Sequence, residues 1–183
     1  MAAVTESVDV AVPVRTAYNQ WTQFEDFPMF MEAVEAVQQL GDTQLKWVAE
    51  VSGKRQEWTA QIVEQRPDQE IAWRAIEGKG NSGVVTYAPL GAEETRITVQ
   101  LDWQPEGVTE NIGAAIGLGD RQVSRDLDRF KELIESQGFE SGAWRGEVAG
   151  GTRVDTDLGD TAMGTTGTAG TTGSTTGRDD DLI

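Results

Sequence analysis

Residues 95–103 read TRITVQLDW. Ile97, Val99, Leu101 and Trp103 alternate there with Arg96, Thr98, Gln100 and Asp102. That strict two-residue period is what a β-strand produces when one face meets a core and the other meets water. The same period recurs upstream. In 44–51 Leu45, Trp47, Ala49 and Val51 share a face, in 56–64 Trp58, Ala60 and Ile62, and in 70–76 Ile71, Trp73 and Ala75. Residues 84–88 read as another strand and 34–40 as a weaker one. Gly41-Asp42, Gly53-Lys54, Pro67-Asp68 and the stretch 91–94 supply short turns between them. The pattern predicts a meander of antiparallel strands with one apolar and one polar face.

Working outward, residues 4–12 alternate and predict a first strand. Pro13 then stands where a helix begins, a position that tolerates its missing N–H. Val14, Ala17, Tyr18 and Trp21 follow at helical spacing, which predicts a short amphipathic helix over 14–23. The aromatic-rich FEDFPMFMEAV (24–34) predicts a turn and a second short helix ending near Val34. On the other side, Pro105-Glu106-Gly107 breaks the strand pattern, and a long helix begins near residue 109 or 110. Ile112, Ile116, Val123, Leu127, Phe130 and Ile134 form its apolar stripe. Its first half, NIGAAIGLGD, carries three glycines at up to ~1 kcal/mol each against Ala, so bending or fraying is expected there. The small residues Gly113, Ala114, Ala115, Gly117 and Gly119 either widen one end of an enclosed space or allow close packing on the sheet. In the second half Arg125/Asp128 and Asp126/Arg129 are spaced to pair, and Gly138 is a natural C-cap.

Composition excludes much chemistry. The chain of 183 residues has no Cys and no His, so disulfides, thiolate nucleophiles, thiolate zinc sites and imidazole acid–base catalysis are all out. Net charge is −16. Up to residue 137 there are 12 Lys and Arg against 23 Asp and Glu, and the remainder holds 3 against 8. Neither part offers the basic surface a phosphate backbone requires, and an anionic membrane would repel both. No nucleic acid, stable membrane insertion, metal or cofactor is therefore expected. The start, MAAVTESVDVAVP, lacks a basic n-region, and no run approaches the roughly 18 apolar residues of a membrane span, which points to a cytoplasmic protein.

Residues 1–138 are long enough to bury a core alone. Residues 139–149 read as a short linker. From residue 150 the chain turns to Gly, Thr and scattered acid, ending DDDLI, and is expected to be a disordered acidic tail. Its Leu182-Ile183 end is a candidate docking peptide for a protein partner, against the plainer reading of a solubilising tail.

The order strand, two short helices, about six strands and one long helix resembles the helix-grip fold of the START/birch-allergen superfamily. Pro13 with Ala17-Tyr18 and Trp21, then FEDFPMFM, resembles the entrance of bacterial polyketide cyclase/dehydrase and coenzyme-Q-binding START-type proteins. The stretch from Trp47 to Leu90 is similar to the central hairpins of that family, and DLDRFKELIES (126–136) to its closing helix. The resemblance, over roughly residues 4–137, implies an α+β fold. A curved antiparallel sheet of about six to seven strands would grip a long C-terminal helix around an apolar cavity.

The resemblance places a hydrophobic ligand in that cavity, such as a quinone, lipid or polyketide-like molecule. Trp47, Trp58, Trp73, Val99, Leu101 and Trp103 from strands and Ile112 and Ile116 from the helix are the expected walls. Indoles suit a planar apolar ligand, and each carries a single N–H donor. Tyr87 is the polar candidate, a donor to a ligand carbonyl. By alternation Glu57 and Arg74 face away from the tryptophans as surface charges, and Asn81, in GKGNSG, reads as a turn residue. Asp126/Asp128 and Glu93/Glu94 read as solvated surface. No catalytic residue is assigned. The competing readings are a cyclase or dehydratase that acts through pocket shape and Tyr87, and an accessory protein that acts through its acidic tail.

Overall fold

The computed structural model describes residues 2–155 except 52 and 104–111; the side chains of 2, 103 and 112–118 also lie outside the description. The sheet runs β1 (Ala2–Val10), β2 (Val34–Gln39), β3 (Gln44–Val51), β4 (Lys54–Arg66), β5 (Glu70–Gly78), β6 (Asn81–Gly91) and β7 (Glu94–Trp103). Its spatial order is β1-β7-β6-β5-β4-β3-β2, antiparallel at each step. The meander is thus continuous from β2 to β7. β1 joins its far edge with Val8 opposite Ile97 and Val4 opposite Leu101.

Between β1 and β2 lie α1 (Val14–Trp21) and a 3-10 helix (Phe24–Met29), and β7 leads through 104–111 to α2 (Ile112–Gln137). The second short helix is therefore a tighter 3-10 piece that stops before Phe30, not one reaching Val34. Pro28 within it removes an amide donor that a continuing α-helix would need. α2 is helical throughout its glycine-bearing half, and Gly138 closes it at φ +72 with its amide on Ile134 O at 2.8 Å.

The core forms where the apolar stripe of α2 meets the inner face of the sheet and the two short helices. Leu127, Phe130 and Ile134 are buried, with Val123 packed at the margin. Phe130 meets Trp21 at 5.0 Å and Phe30 at 5.1 Å between ring centroids, and Phe27 links Trp21, Phe24 and Phe30. Polar bonds lock the helix in place. Lys131 Nζ donates to Asp9 O at 2.6 Å, Ala11 N to Glu135 Oε1 at 2.7 Å, and Arg129 Nη2 to Glu32 Oε2 at 2.9 Å. Asp126, expected on the solvent side, is instead half-buried. It accepts from Glu32 N at 3.2 Å and Gln122 Nε2 at 2.9 Å, and burial pushes its carboxyl above the ordinary value.

Two further strands raise the sheet to nine, above the expected six to seven. β8 (Glu147–Ala149) pairs with β4, and β9 (Thr152–Val154) pairs with β8. Residues 139–149, expected as a linker, pack along the domain. Asn19 Nδ2 donates to Glu140 Oε1, Ser141 N to Gln20 Oε1 and Trp144 N to Thr22 Oγ1. Arg145 holds both carboxylate oxygens of Asp68, at 2.6 and 2.9 Å, and lies over the Tyr18 ring. The expected tail from residue 150 begins with the last of this strap; 156–183, including the DDDLI end, lie outside the described residues. No described helix is long and apolar enough to cross a membrane.

Candidate ligand-binding interior

Inward-facing side chains follow the alternation through most of β3, through β4 as far as Ile62, and in β7. Leu45, Trp47 and Ala49 of β3, Trp58, Ala60 and Ile62 of β4, and Ile97 and Val99 of β7 are all buried. Val51 departs from its expected face. It is 44% exposed at the end of β3, where only the Gly53 turn follows.

Trp47 and Trp58 are direct cross-strand partners. Their rings stack with centroids 5.8 Å apart and planes 5° from parallel, within the range of an offset aromatic pair. Phe27 closes one edge, meeting Trp47 at 5.6 Å. Glycines close the other. A Cβ on Gly80 would overlap the Trp58 ring, and one on Gly78 would come 2.6 Å from Glu57 O. Both indole Nε1 atoms are buried and have no partner among the described residues.

Trp73 lies one strand on, in β5, half-buried against the core. Its Nε1 donates to Asn81 Oδ1 at 2.9 Å, so Asn81 is the first residue of β6 and an indole's acceptor, not a turn residue. The ring occupies space that Gly83 leaves open: a Cβ there would sit 2.6 Å from Gln100 O, 2.7 Å from Trp73 Cζ2 and 2.9 Å from Leu101 Cδ2. Gly83→Ala is expected to destabilise the domain by ~1–3 kcal/mol through overpacking and to shift the tryptophan emission band. An unchanged urea midpoint would show that β6 and β7 part freely at this point.

The GKGNSG glycines are thus cut to fit two tryptophans. Trp103 stands opposite Asn81 and Ala2 in the strand register, and Ile112 and Ile116 lie in the first turns of α2. Their side chains fall outside the described residues.

Tyr87 is inward-facing and 6% exposed. It meets Tyr18 edge to face and has no hydrogen-bond partner for its hydroxyl among the described residues. Burial pushes its ionisation well above the ordinary tyrosine value, so it is a neutral donor. Of the charged residues, Glu57 pairs outside with Lys46 and Arg55, each at 3.3 Å, and Arg74 is exposed. Three interior polar residues lie outside the expected cavity lining, although Tyr18 stands on the expected apolar stripe of the first helix. Gln65 (1% exposed) and Tyr18 (0%) form a buried polar pair, and the half-buried Glu6 shares the inward parity of β1 with Val4, Val8 and Val10. Among the described residues no group of three His, Cys, Asp or Glu is placed to hold a metal. An outer cleft of about 520 Å³ beside the strap is lined by Arg145 and Arg153, but Asp68, Asp42 and Asp155 already neutralise them.

Comparison with known proteins bears on this interior. Residues 10–132 match the family described as polyketide cyclase / dehydrase and lipid transport. A Streptomyces lincolnensis protein, described as an uncharacterized 17.2 kDa product of the melC2-rnhH intergenic region, is 48% identical over 149 residues, covering 81% of this chain and 99% of its own. A solved protein of Deinococcus radiodurans superposes with TM-score 0.60 at 26% identity, over 74% of this chain and 98% of its own. A START superfamily protein of Mycobacterium smegmatis gives TM-score 0.59 at 17% identity, over 74% and 95%. A family match across most of the folded region, on a curved sheet that grips one long helix, makes this chain a member of the polyketide cyclase / dehydrase and lipid transport family, with a START-type helix-grip fold.

Proposed function

We propose that the protein binds a hydrophobic small molecule of the quinone, lipid or polyketide-like class between the sheet and α2, with Trp47 and Trp58 as its principal wall. One observation carries this reading: two stacked, buried indoles each keep an N–H donor without a partner among the described residues. A buried donor left unpaired costs roughly 1–3 kcal/mol, and an incoming carbonyl relieves that cost while the ring faces bury apolar surface. Trp73 and Leu101 extend the wall, and Trp103, Ile112 and Ile116 belong to it by the sequence pattern. The family's description, which includes lipid transport, agrees with a carrier.

A cyclase or dehydratase is the second reading. The inward, un-ionised hydroxyl of Tyr87 favours it, because such a group can donate to a carbonyl as charge develops there. The absence of His from the chain leaves that donor without an imidazole partner.

The deciding experiment takes full-length protein from a lipid-rich host into native mass spectrometry, followed by tryptophan-quenching titration with 1,4-naphthoquinone. The expected result is a retained hydrophobic adduct, saturable quenching, and at least roughly tenfold weaker binding in Trp58→Leu, ~1.4 kcal/mol. Naphthalene, which lacks the carbonyls, should bind more weakly than the quinone. A bare mass together with no saturable quenching would remove the reading.

A further inference from the structure

The end of β4 away from the Trp47–Trp58 stack holds a second polar arrangement inside the apolar core. Along β6, Tyr87 lies six residues beyond Asn81, about 20 Å at strand spacing. Tyr18, from α1, meets it with ring centroids 5.3 Å apart and planes at 76°. Gln65, from β4, donates from Nε2 to Tyr18 Oη at 3.0 Å. All three residues are buried. Yet Tyr87 Oη and Gln65 Oε1 have no partner among the described residues.

The inventory of these three residues defines what would satisfy them. Tyr18 Oη accepts from Gln65 and still has its own proton to give. Tyr87 has a proton to give, and Gln65 Oε1 has lone pairs to fill. A complementary group accepts twice and donates once, which is the capacity of an O–H. A carbonyl or ether would leave Gln65 Oε1 unpaired, and an ammonium would leave both tyrosine protons unpaired. A carboxylate would lose its hydration without gaining a cation. Arg145, 5.6 Å from the centre of the Tyr18 ring, is already bound to Asp68 and Asn19.

We propose that Tyr87, Tyr18 and Gln65 form a site for a neutral hydroxyl, supplied either by a phenol or alcohol group of a ligand or by one sequestered water. The site stands independently of the tryptophan wall, because no residue is shared between them.

The chain's two tyrosines are both members of this cluster, so protein isotope-labelled at tyrosine Cζ gives two resonances that report on it alone. Tyr87→Phe assigns them. Full-length protein is titrated with phenol and, separately, with toluene, which matches its shape without the hydroxyl. If a ligand hydroxyl is the occupant, phenol shifts both resonances and binds at least fivefold tighter than toluene, and Tyr87→Phe or Gln65→Met abolishes that preference. If water is the occupant, phenol has no such advantage. A long-lived water then shows cross-relaxation with the tyrosine hydroxyl protons and is lost in Gln65→Met. Equal response to phenol and toluene, with no retained water, would overturn the site. The naphthoquinone titration is scored by its loss in Trp58→Leu, a residue outside this cluster, so either conclusion can fail without the other.

Discussion

Phe130→Ala is expected to lower the unfolding free energy by ~3–5 kcal/mol, the range for truncating a fully buried phenylalanine. The residue is 0% exposed and joins three separately formed elements. Its ring meets Trp21 of α1 at 64° and Phe30, just beyond the 3-10 helix, at 70°. Edge-to-face pairs of this kind add ~0.5–1.5 kcal/mol beyond area burial. The lost ring would leave a cavity walled by Trp21 and Phe30, which are themselves pinned by Phe27 and cannot collapse into it. A domain of this size has only ~5–15 kcal/mol in total. Urea unfolding should therefore show a much lower midpoint with an unchanged slope, and Phe130→Leu should recover most of the loss. A loss under ~1 kcal/mol would mean that α2 is held by its polar bonds to Asp9, Ala11 and Glu32 and not by this cluster.

Alkaline pH should remove stability through the two tyrosines. Burial raises Tyr18 to about 12 against an ordinary 10.0, more than the opposing bond from Gln65 and the charge of Arg145 lower it, and burial drives Tyr87 well above 10.0. Both folded-state values lie above the unfolded ones, so the contribution is complete below pH 10. It declines as the unfolded chain releases its protons above that point, and it is gone once pH passes the folded values. For Tyr18 alone, a hundredfold difference in proton affinity corresponds to roughly 3 kcal/mol. The check is tyrosinate absorbance. The folded protein should stay silent through the pH range in which the same chain in concentrated guanidinium titrates near 10, and Tyr87→Phe should lessen the alkaline loss. Tyrosinate appearing near pH 10 in the folded state would contradict the burial of this pair.

The sheet was legible because burial alternates along β7 and over most of β3, from Leu45 to Ala49, and the inward placement of Trp47 followed from it. Gln65 was not. Counting by twos from Trp58 through Ala60 and Ile62 puts Glu64 inside. The register shift between Ile62 and Glu64 inserts a residue, turning Gln65 to the core and leaving the Glu64 side chain 37% exposed. A bulge has no signature in side-chain alternation, so this half of the polar cluster could not be found by pattern. Asn81 was misread for a different reason. Its local sequence favours a turn, but Trp73, eight residues away, supplies an indole proton that local propensity does not see. The strap after Gly138 has no period at all. Its order comes from polar partners in α1 and β4, so its composition resembles a linker.

Those strap contacts also bear on how the chain reaches its native state. Asn19 bonds residues 121 and 126 positions later, in Glu140 and Arg145, and β1 cannot pair until β7, some 90 residues on, is available. Closing such long loops costs entropy before any contact offsets it, which places folding among slow, high-contact-order topologies in the millisecond-to-second range. During synthesis the first strand and first helix leave the ribosome long before their partners exist. Val4, Val8, Val10, Tyr18 and Trp21 must wait in water, so the nascent chain is at its most aggregation-prone while the middle hairpins are still being made.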